Sequence, residues 1–317
     1  MKFPYENIIF EGGGIKGVAY AKVPLVLKEM GILKQIKRIA GSSAGSIAAT
    51  LLAVKYSPEM IDEIITTTDF KEFQDETYYS FTAFKFLFTL GINTGDYFCK
   101  WIQNLIMVKT GNKDTTFLDI YNENNIELVI TGTSIKEKKT KYFSYKTTPD
   151  MPIWKAVRIS ITIPIFFKPI QYIDSYYIDG GILSNFPIWI FDNPNSYEVD
   201  YENKSPPSKK TLGFKLVNNT STKEKDVVLP GFGFLPIVNL AFQLIMLLLD
   251  YIDESYTLYD YWDRTVGIDV MDVDATEFNT DVKKLEILRE NGYKTTKKFL
   301  ENKIYFDKLK KKSKSNY

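Results

Sequence analysis

The sequence predicts an α/β fold, a three-layer sandwich in which helices flank a central, mostly parallel sheet. Two observations lead there. Short apolar runs alternate with longer helical patterns through the first part of the chain, and glycine-rich turns join each of the first two strands to the helix that follows it. The composition is compatible: 44% hydrophobic and 25% charged residues, ordinary values for a chain that buries a core.

Asn7–Phe10 reads as a short buried strand, followed by a cluster of glycines at positions 12, 13, 14 and 17. A helical pattern continues to about Met30, with Ala19, Val23, Leu25, Val26 and Leu27 apolar. Ile36–Ala40 reads as the second strand and Ser46–Val54 as the second helix. From about 56 to 125 the pattern is helical and loop-rich, and includes the aromatic run Tyr78–Leu90, suited to a membrane interface or to core packing. Strands return at about Ile126–Thr133, Tyr142–Tyr145, Tyr176–Ile178, Thr211–Val217 and Val266–Val270, and a surface helix is expected over Asp281–Glu301. Pro206-Pro207 among mixed charges marks an exposed loop.

No repeat or composition break divides the chain, so a single domain over 1–307 is expected. A basic tail, 308–317, follows it, with Lys308, Lys310, Lys311, Lys312 and Lys314 and no acid. The net charge of +1 provides no field to recruit nucleic acid. The tail is suited to anionic lipid or is simply a solvated terminus. Met1–Ile9 contains Glu6 and lacks the apolar run of a signal peptide. The uncharged stretch Val227–Leu249 is interrupted by Pro230, Gly231, Gly233 and Pro236. Its helix-like part, Leu235–Leu249, is short for a membrane span and reads as a buried or interfacial helix. A cytoplasmic protein, or one peripheral on membranes, is expected.

The most restrictive count is histidine, of which there is none. Ser-His-Asp and Cys-His catalysis, histidine-based zinc sites and an imidazole base are excluded together. The single cysteine, Cys99, forms no internal disulfide or Cys-x-x-Cys pair.

Three motifs carry chemistry. Gly41-Ser42-Ser43-Ala44-Gly45 is a G-x-S-x-G sequence between a predicted strand and helix, where a sharp turn forces Ser43 outward and Gly41 and Gly45 relieve crowding. Glu11-Gly12-Gly13-Gly14-Ile15-Lys16-Gly17 occupies the equivalent place one strand earlier. Its backbone N–H groups are suited to a negative oxygen. The spacing Gly12-x-Gly14-x-x-Gly17 also satisfies the dinucleotide fingerprint. The acid that fingerprint needs is missing: Lys34, Lys37 and Arg38 surround the second strand, which leaves an NADP-dependent oxidoreductase as an alternative. Asp179-Gly180-Gly181 follows a predicted strand; such a pair commonly makes a turn or cap. Without histidine, Asp179 is the candidate acceptor of the serine proton.

The ordered set Gly-Gly-Gly-x-Lys-Gly, Gly-x-Ser-x-Gly and Asp-Gly-Gly resembles the patatin-like phospholipases. The resemblance extends through Ala156-x-Arg158-x-Ser160, Ile163-Pro164, Phe167 and Asn185-x-Pro187, and more loosely through Gly91–Ile106 and Asp272–Leu300. It implies a patatin-like sandwich and a lipid acyl hydrolase of phospholipase A or lysophospholipase type, with Ser43 as nucleophile and Asp179 as base. It also implies an anion loop at Gly12, Gly13, Gly14 and Gly17, joined by the N–H of Ala44. Gly41, Gly45, Gly180, Gly181 and Lys16 are supporting motif positions. Glu11 and Lys16 depart from the Asp and Arg common in the family, and lysine keeps the charge without the planar fork. A lipid ester substrate, peripheral contact with a membrane surface, and no metal or cofactor are expected. A non-catalytic lipid-binding relative is the remaining alternative. Acyl transfer without imidazole further demands that burial raise the Asp179 pKa and that its carboxylate lie within hydrogen-bond reach of Ser43.

Overall fold

Two four-residue strands, β1 (Asn7–Phe10) and β2 (Arg38–Gly41), each apolar after its first residue, pair in parallel at the centre of the sheet. A computed structural model of the chain describes residues 3–75, 90–193, 195–197, 205–218, 238–247 and 261–314. Within them, β1 is flanked on its other side by β9 (Thr211–Val217), and β9 by β10 (Thr265–Asp269), both parallel. Beyond β2 lies β4 (Glu127–Ser134), also parallel and buried at every position. Buried on both faces, these strands read as near-continuous apolar runs, and for that reason they were visible in the sequence.

The antiparallel part of the sheet brings the chemistry together. β4 pairs with β5 (Lys139–Phe143) along one edge, from Ile130 to Ser134. Its other edge is shared: β2 occupies it from Glu127 to Ile130, and β8 (Ser175–Asp179) from Gly132 to Ser134, running the opposite way. The C-terminal ends of β2 and β8 therefore meet head-on beside β4, about two residues or ~7 Å apart at strand rise. β7 (Ile170–Tyr172) closes the sheet beyond β8, and β3 (Gly91–Asn93) pairs with β6 (Ile165–Phe167) apart from it.

Side-chain alternation divides the sheet's two faces. Ile8, Phe10, Ile39, Leu128 and Ile130 point into the larger core, beneath α1 (Val23–Glu29), α2 (Ala44–Ala53), α3 (Pro58–Thr67), α4 (Asp96–Thr110), α5 (Phe117–Asn124) and α6 (Ile153–Ser160). Ile9, Ala40 and Val129 point the other way, onto Phe186, Ile188, Ile190 and Phe191. These four follow a short helix, α7 (Gly181–Ser184), and cover that face with irregular chain.

Local differences from the expected elements have identifiable causes. The glycine loop leads into a 3-10 turn, Gly14–Tyr20, and the α-helix starts only at Val23, where Pro24 suits a first turn. The last helix, α8 (Val282–Lys314), runs beyond Glu301 without a break at 307, consistent with lysine's good helix propensity and favourable position near a helix C-terminus. Its Gly292 packs against the 3-10 turn, where a Cβ would lie 1.9 Å from the Ala19 carbonyl oxygen. The aromatic run Tyr78–Leu90 lies, apart from Leu90, outside the described residues. Of Leu235–Leu249, residues 238–247 are described: a helix that buries Phe242 in the core and leaves Leu240, Leu244 and Leu247 exposed. Among the described residues no helix is long and apolar enough to cross a membrane.

Candidate active site

Ser43 sits between the end of β2 and the start of α2 at φ 47° and ψ −124°. A side chain in that region costs about 1–3 kcal/mol, and the surroundings hold it there. The flanking glycines are required by contact. A Cβ on Gly41 would lie 2.2 Å from the Gly45 carbonyl oxygen, and one on Gly45 2.3 Å from that of Phe10. The Ser43 N–H donates to Ser160 Oγ (2.9 Å), and Ser46 Oγ donates to the Ser43 carbonyl (2.6 Å). Ser42 Oγ reaches Thr131 Oγ1 (2.6 Å) and donates to the Ser184 carbonyl (2.9 Å), tying the turn to β4 and α7.

Asp179 ends β8, directly opposite. Ser43 Oγ–H donates to Asp179 Oδ2 at 2.8 Å, and the Gly181 N–H donates to Oδ1 at 2.7 Å. The backbone is pinned on both sides: Asp179 N–H donates to the Thr162 carbonyl (2.8 Å), and Thr133 Oγ1 donates to the Asp179 carbonyl (2.8 Å). Gly180 lies against β4, where a Cβ would meet Thr131 Oγ1 at 2.1 Å. The carboxylate is 1% exposed, and burial pushes its pKa from 3.8 up to about 7. The two hydrogen bonds from Gly181 and Ser43 act in the opposite direction and are outweighed.

The glycine loop lies against the serine: a Cβ on Gly12 would be 2.8 Å from Ser43 Cβ. Its amides do not have equal roles. Gly12 N–H donates to the Asn185 carbonyl (3.2 Å) and is spent there. Gly17 belongs to the 3-10 turn and is a close-approach position, its Cβ site 2.7 Å from Ala44 Cβ. The N–H groups of Gly13, Gly14 and Ala44 have no hydrogen-bond partner among the described residues. Gly14 adopts φ +56°, and the neighbouring Ile15 N–H donates to the Ala275 carbonyl (2.9 Å). Glu11 anchors the end of β1 to β9: its carboxylate, 1% exposed, takes the Leu216 N–H and an ion pair from Lys215.

The dinucleotide alternative fails on placement. Arg38 starts β2, whereas the glycine loop follows the C-terminal end of β1, so the parallel pair puts them at opposite ends of the sheet. Arg38 is engaged there, donating from Nε to Asn7 Oδ1 (2.8 Å) with its guanidinium 4.8 Å from the Phe191 ring centroid.

Ser43, Ala44, Gly14 and Gly17 border a cavity that opens in part to solvent. Among the described residues no charged side chain lines it. Its walls come from one face of α2 (Ile47, Ala48, Leu51), from α3 (Ile61, Ile65), and from an aromatic side formed by Phe70, Phe73, Phe98, Trp101, Phe167 and Phe278. Tyr20 also lines it, with its hydroxyl turned to the Glu11 carbonyl (3.0 Å).

Several residues that hold this site carried no signal of their own. Thr131, Thr162 and Ala275 act through one hydroxyl or carbonyl each and belong to no short motif. Ser160 and Asn185 were marked only by the resemblance.

Comparison with known proteins shows the family and the fold. A protein of Bacillus subtilis, YqhO, itself uncharacterised, is 31% identical over 315 residues, covering 95% of this chain and 100% of its own. A probable lipid hydrolase of Invertebrate iridescent virus 6 is 27% identical over 230 residues, covering 70% of this chain and 73% of its own. The crystal structure of VipD from Legionella pneumophila superposes with a TM-score of 0.61 at 18% identity, over 94% of this chain and 67% of that one, and so shares the fold. The family model for patatin-like phospholipases matches residues 8–192, a span holding the glycine loop, Ser43 and Asp179. The chain belongs to the patatin-like phospholipase family.

Proposed function

We propose that this protein hydrolyses fatty-acyl esters of lipids through an acyl-enzyme on Ser43, with Asp179 as general base. The observation that carries this reading is the buried Ser43–Asp179 hydrogen bond, with Ser43 on the border of a cavity whose described lining is apolar. In the first half-reaction, a lone pair of Ser43 Oγ forms a bond to the ester carbonyl carbon while Asp179 takes the hydroxyl proton. The bond to the alcohol oxygen then breaks, and Asp179 returns the proton to that oxygen. In the second half, water takes the place of the serine hydroxyl: it gives its proton to Asp179, the acyl–Oγ bond breaks, and Oγ recovers the proton. Fatty acid and alcohol leave, and no net proton stays on the protein.

The unpartnered amides of Gly13, Gly14 and Ala44 are the donors we assign to the tetrahedral oxyanion. One such donor typically contributes about 2.7–4 kcal/mol to the barrier. A neutral-range pKa suits Asp179 to its role, because an ordinary carboxylate near 3.9 accepts a serine proton poorly at pH 7. Catalysis needs the ionised form. We therefore expect kcat/KM to rise with pH, reach half its maximum near 7, and stay level above that. A pH–rate profile with its midpoint near 4 would show Asp179 to be solvated or uninvolved.

The direct test is an alkyl fluorophosphonate probe. Labelling is expected at Ser43, to be located by peptide mass spectrometry and abolished in Ser43→Ala. Labelling of another serine, or none by a folded protein, would overturn the assignment and favour the non-catalytic lipid-binding alternative.

A further inference from the structure

We propose that the cavity beside Ser43 is a closed channel that measures acyl-chain length, taking a straight chain of about ten carbons beyond the carbonyl. The proposal rests on Ser43 as the nucleophile and adds the substrate's chain class.

Helix geometry sets the length. Ser43, Ala44, Ile47, Ala48 and Leu51 all line the cavity, and their spacing puts them on one face of α2. From Ser43 to Leu51 the helix rises about 12 Å at 1.5 Å per residue. An extended hydrocarbon advances about 1.25 Å per carbon, the projection of a ~1.5 Å carbon–carbon bond at a near-tetrahedral angle, so about ten carbons span the distance. The exposure pattern agrees: Ile47 and Ala48 are only half-buried although they belong to a helix packed on the sheet, because they face open space. Leu51 (0% exposed), Ile61 (2%) and Pro24 are buried where they line the cavity, with α1 packed on α3, and these side chains form the end wall we assign. With no charged group among the described residues of the wall, the occupant is apolar along its length.

A closed end predicts a break in the chain-length profile. With p-nitrophenyl esters from butanoate to palmitate, kcat/KM is expected to climb by up to about fourfold per methylene, the rate equivalent of about 0.8 kcal/mol of burial. The climb is expected to stop near decanoate to dodecanoate. Ala48→Phe fills the channel about 7.5 Å from Ser43 by helix rise and is expected to move the break to about six carbons. Ile61→Ala removes part of the end wall and is expected to move it to longer chains. Each variant is read as the ratio between long and short esters within one enzyme, so a general loss of turnover does not obscure the shift.

An independent measurement uses calorimetric binding of straight-chain alkanoate anions, hexanoate to palmitate, to Ser43→Ala. Affinity is expected to level off at the same length. A climb that continues unchanged from dodecanoate to palmitate, or a break that both variants leave in place, would overturn the ruler. If Ser43 is not the nucleophile, either the unmodified protein cleaves no ester or Ser43→Ala cleaves as well as it does, while the binding break remains. If the ruler alone is wrong, esters are cleaved and the break is absent.

Discussion

Replacing Asp179 with Asn is expected to lower kcat/KM for ester hydrolysis by about 100- to 10,000-fold, the range for loss of a general base, while making the folded protein more stable above neutral pH. Both effects come from the same burial. Asn keeps the shape and can still accept from the Gly181 N–H and meet Ser43 Oγ, but it cannot take a proton. The stability effect has a definite sign. The folded-state pKa of Asp179, about 7, lies above its value of 3.8 outside the fold, so between those pH values the folded chain holds a proton that the unfolded chain has released. Stability therefore falls as pH rises from about 4 to about 7 and is level beyond, a loss on the order of 4 kcal/mol for this fully buried group. Asn removes that loss. Thermal midpoints are expected to coincide for the two proteins near pH 4 and to separate, with the variant higher, by pH 8. A variant less stable at pH 8, or one retaining most activity, would show that the carboxylate is not held as a buried, proton-accepting group.

The same residues show how far the sequence could be read. Ser43 and Asp179 are distant in the chain and 2.8 Å apart in space, and each was legible because a steric requirement is written into adjacent glycines. The central strands were legible for a related reason: Thr211–Val217 is buried on both faces and is bounded by turn signals, so its limits coincide with the expected ones. β3, β6 and β7 were not foreseen. Three residues carry no periodicity, and β7 is half-exposed, with Gln171 facing solvent. The head-on meeting of β2 and β8 was also hidden, because it depends on register along the shared edge of β4, which no local pattern encodes. The division of labour in the glycine loop followed the same logic. Four glycines looked equivalent in sequence, yet the partner of each is a carbonyl or methyl group from a remote segment: Asn185 for Gly12, Ala275 for Gly14, Ala44 for Gly17 and the Leu216 side chain for Gly13.

Gly14→Ala is expected to reduce kcat by about 100- to 1,000-fold, the cost of misplacing an oxyanion donor, with a smaller effect on KM because most of the acyl channel's wall comes from α2, α3 and the aromatic side rather than from the glycine loop. Two separate penalties arise at this position. At φ +56° any Cβ adds about 1–2 kcal/mol of strain. A Cβ there would also lie 1.9 Å from the Ala275 carbonyl oxygen and 2.7 Å from its carbon, both backbone atoms that cannot rotate away. Relief requires the loop and the 275 segment to separate, which breaks the Ile15 N–H to Ala275 hydrogen bond and shifts the amides of residues 13 and 14. Gly31 separates the two penalties. It has φ +69°, but nothing lies within 4 Å of its Cβ position, and it sits between α1 and β2, away from the cavity. Gly31→Ala is expected to lose about 1 kcal/mol of stability and no activity, whereas Gly14→Ala loses turnover even where its residual stability, followed by thermal melting, leaves it folded. Equal kinetics for the two variants would mean that the contact with Ala275 does not position the loop, and the oxyanion assignment would then rest on Ala44 alone.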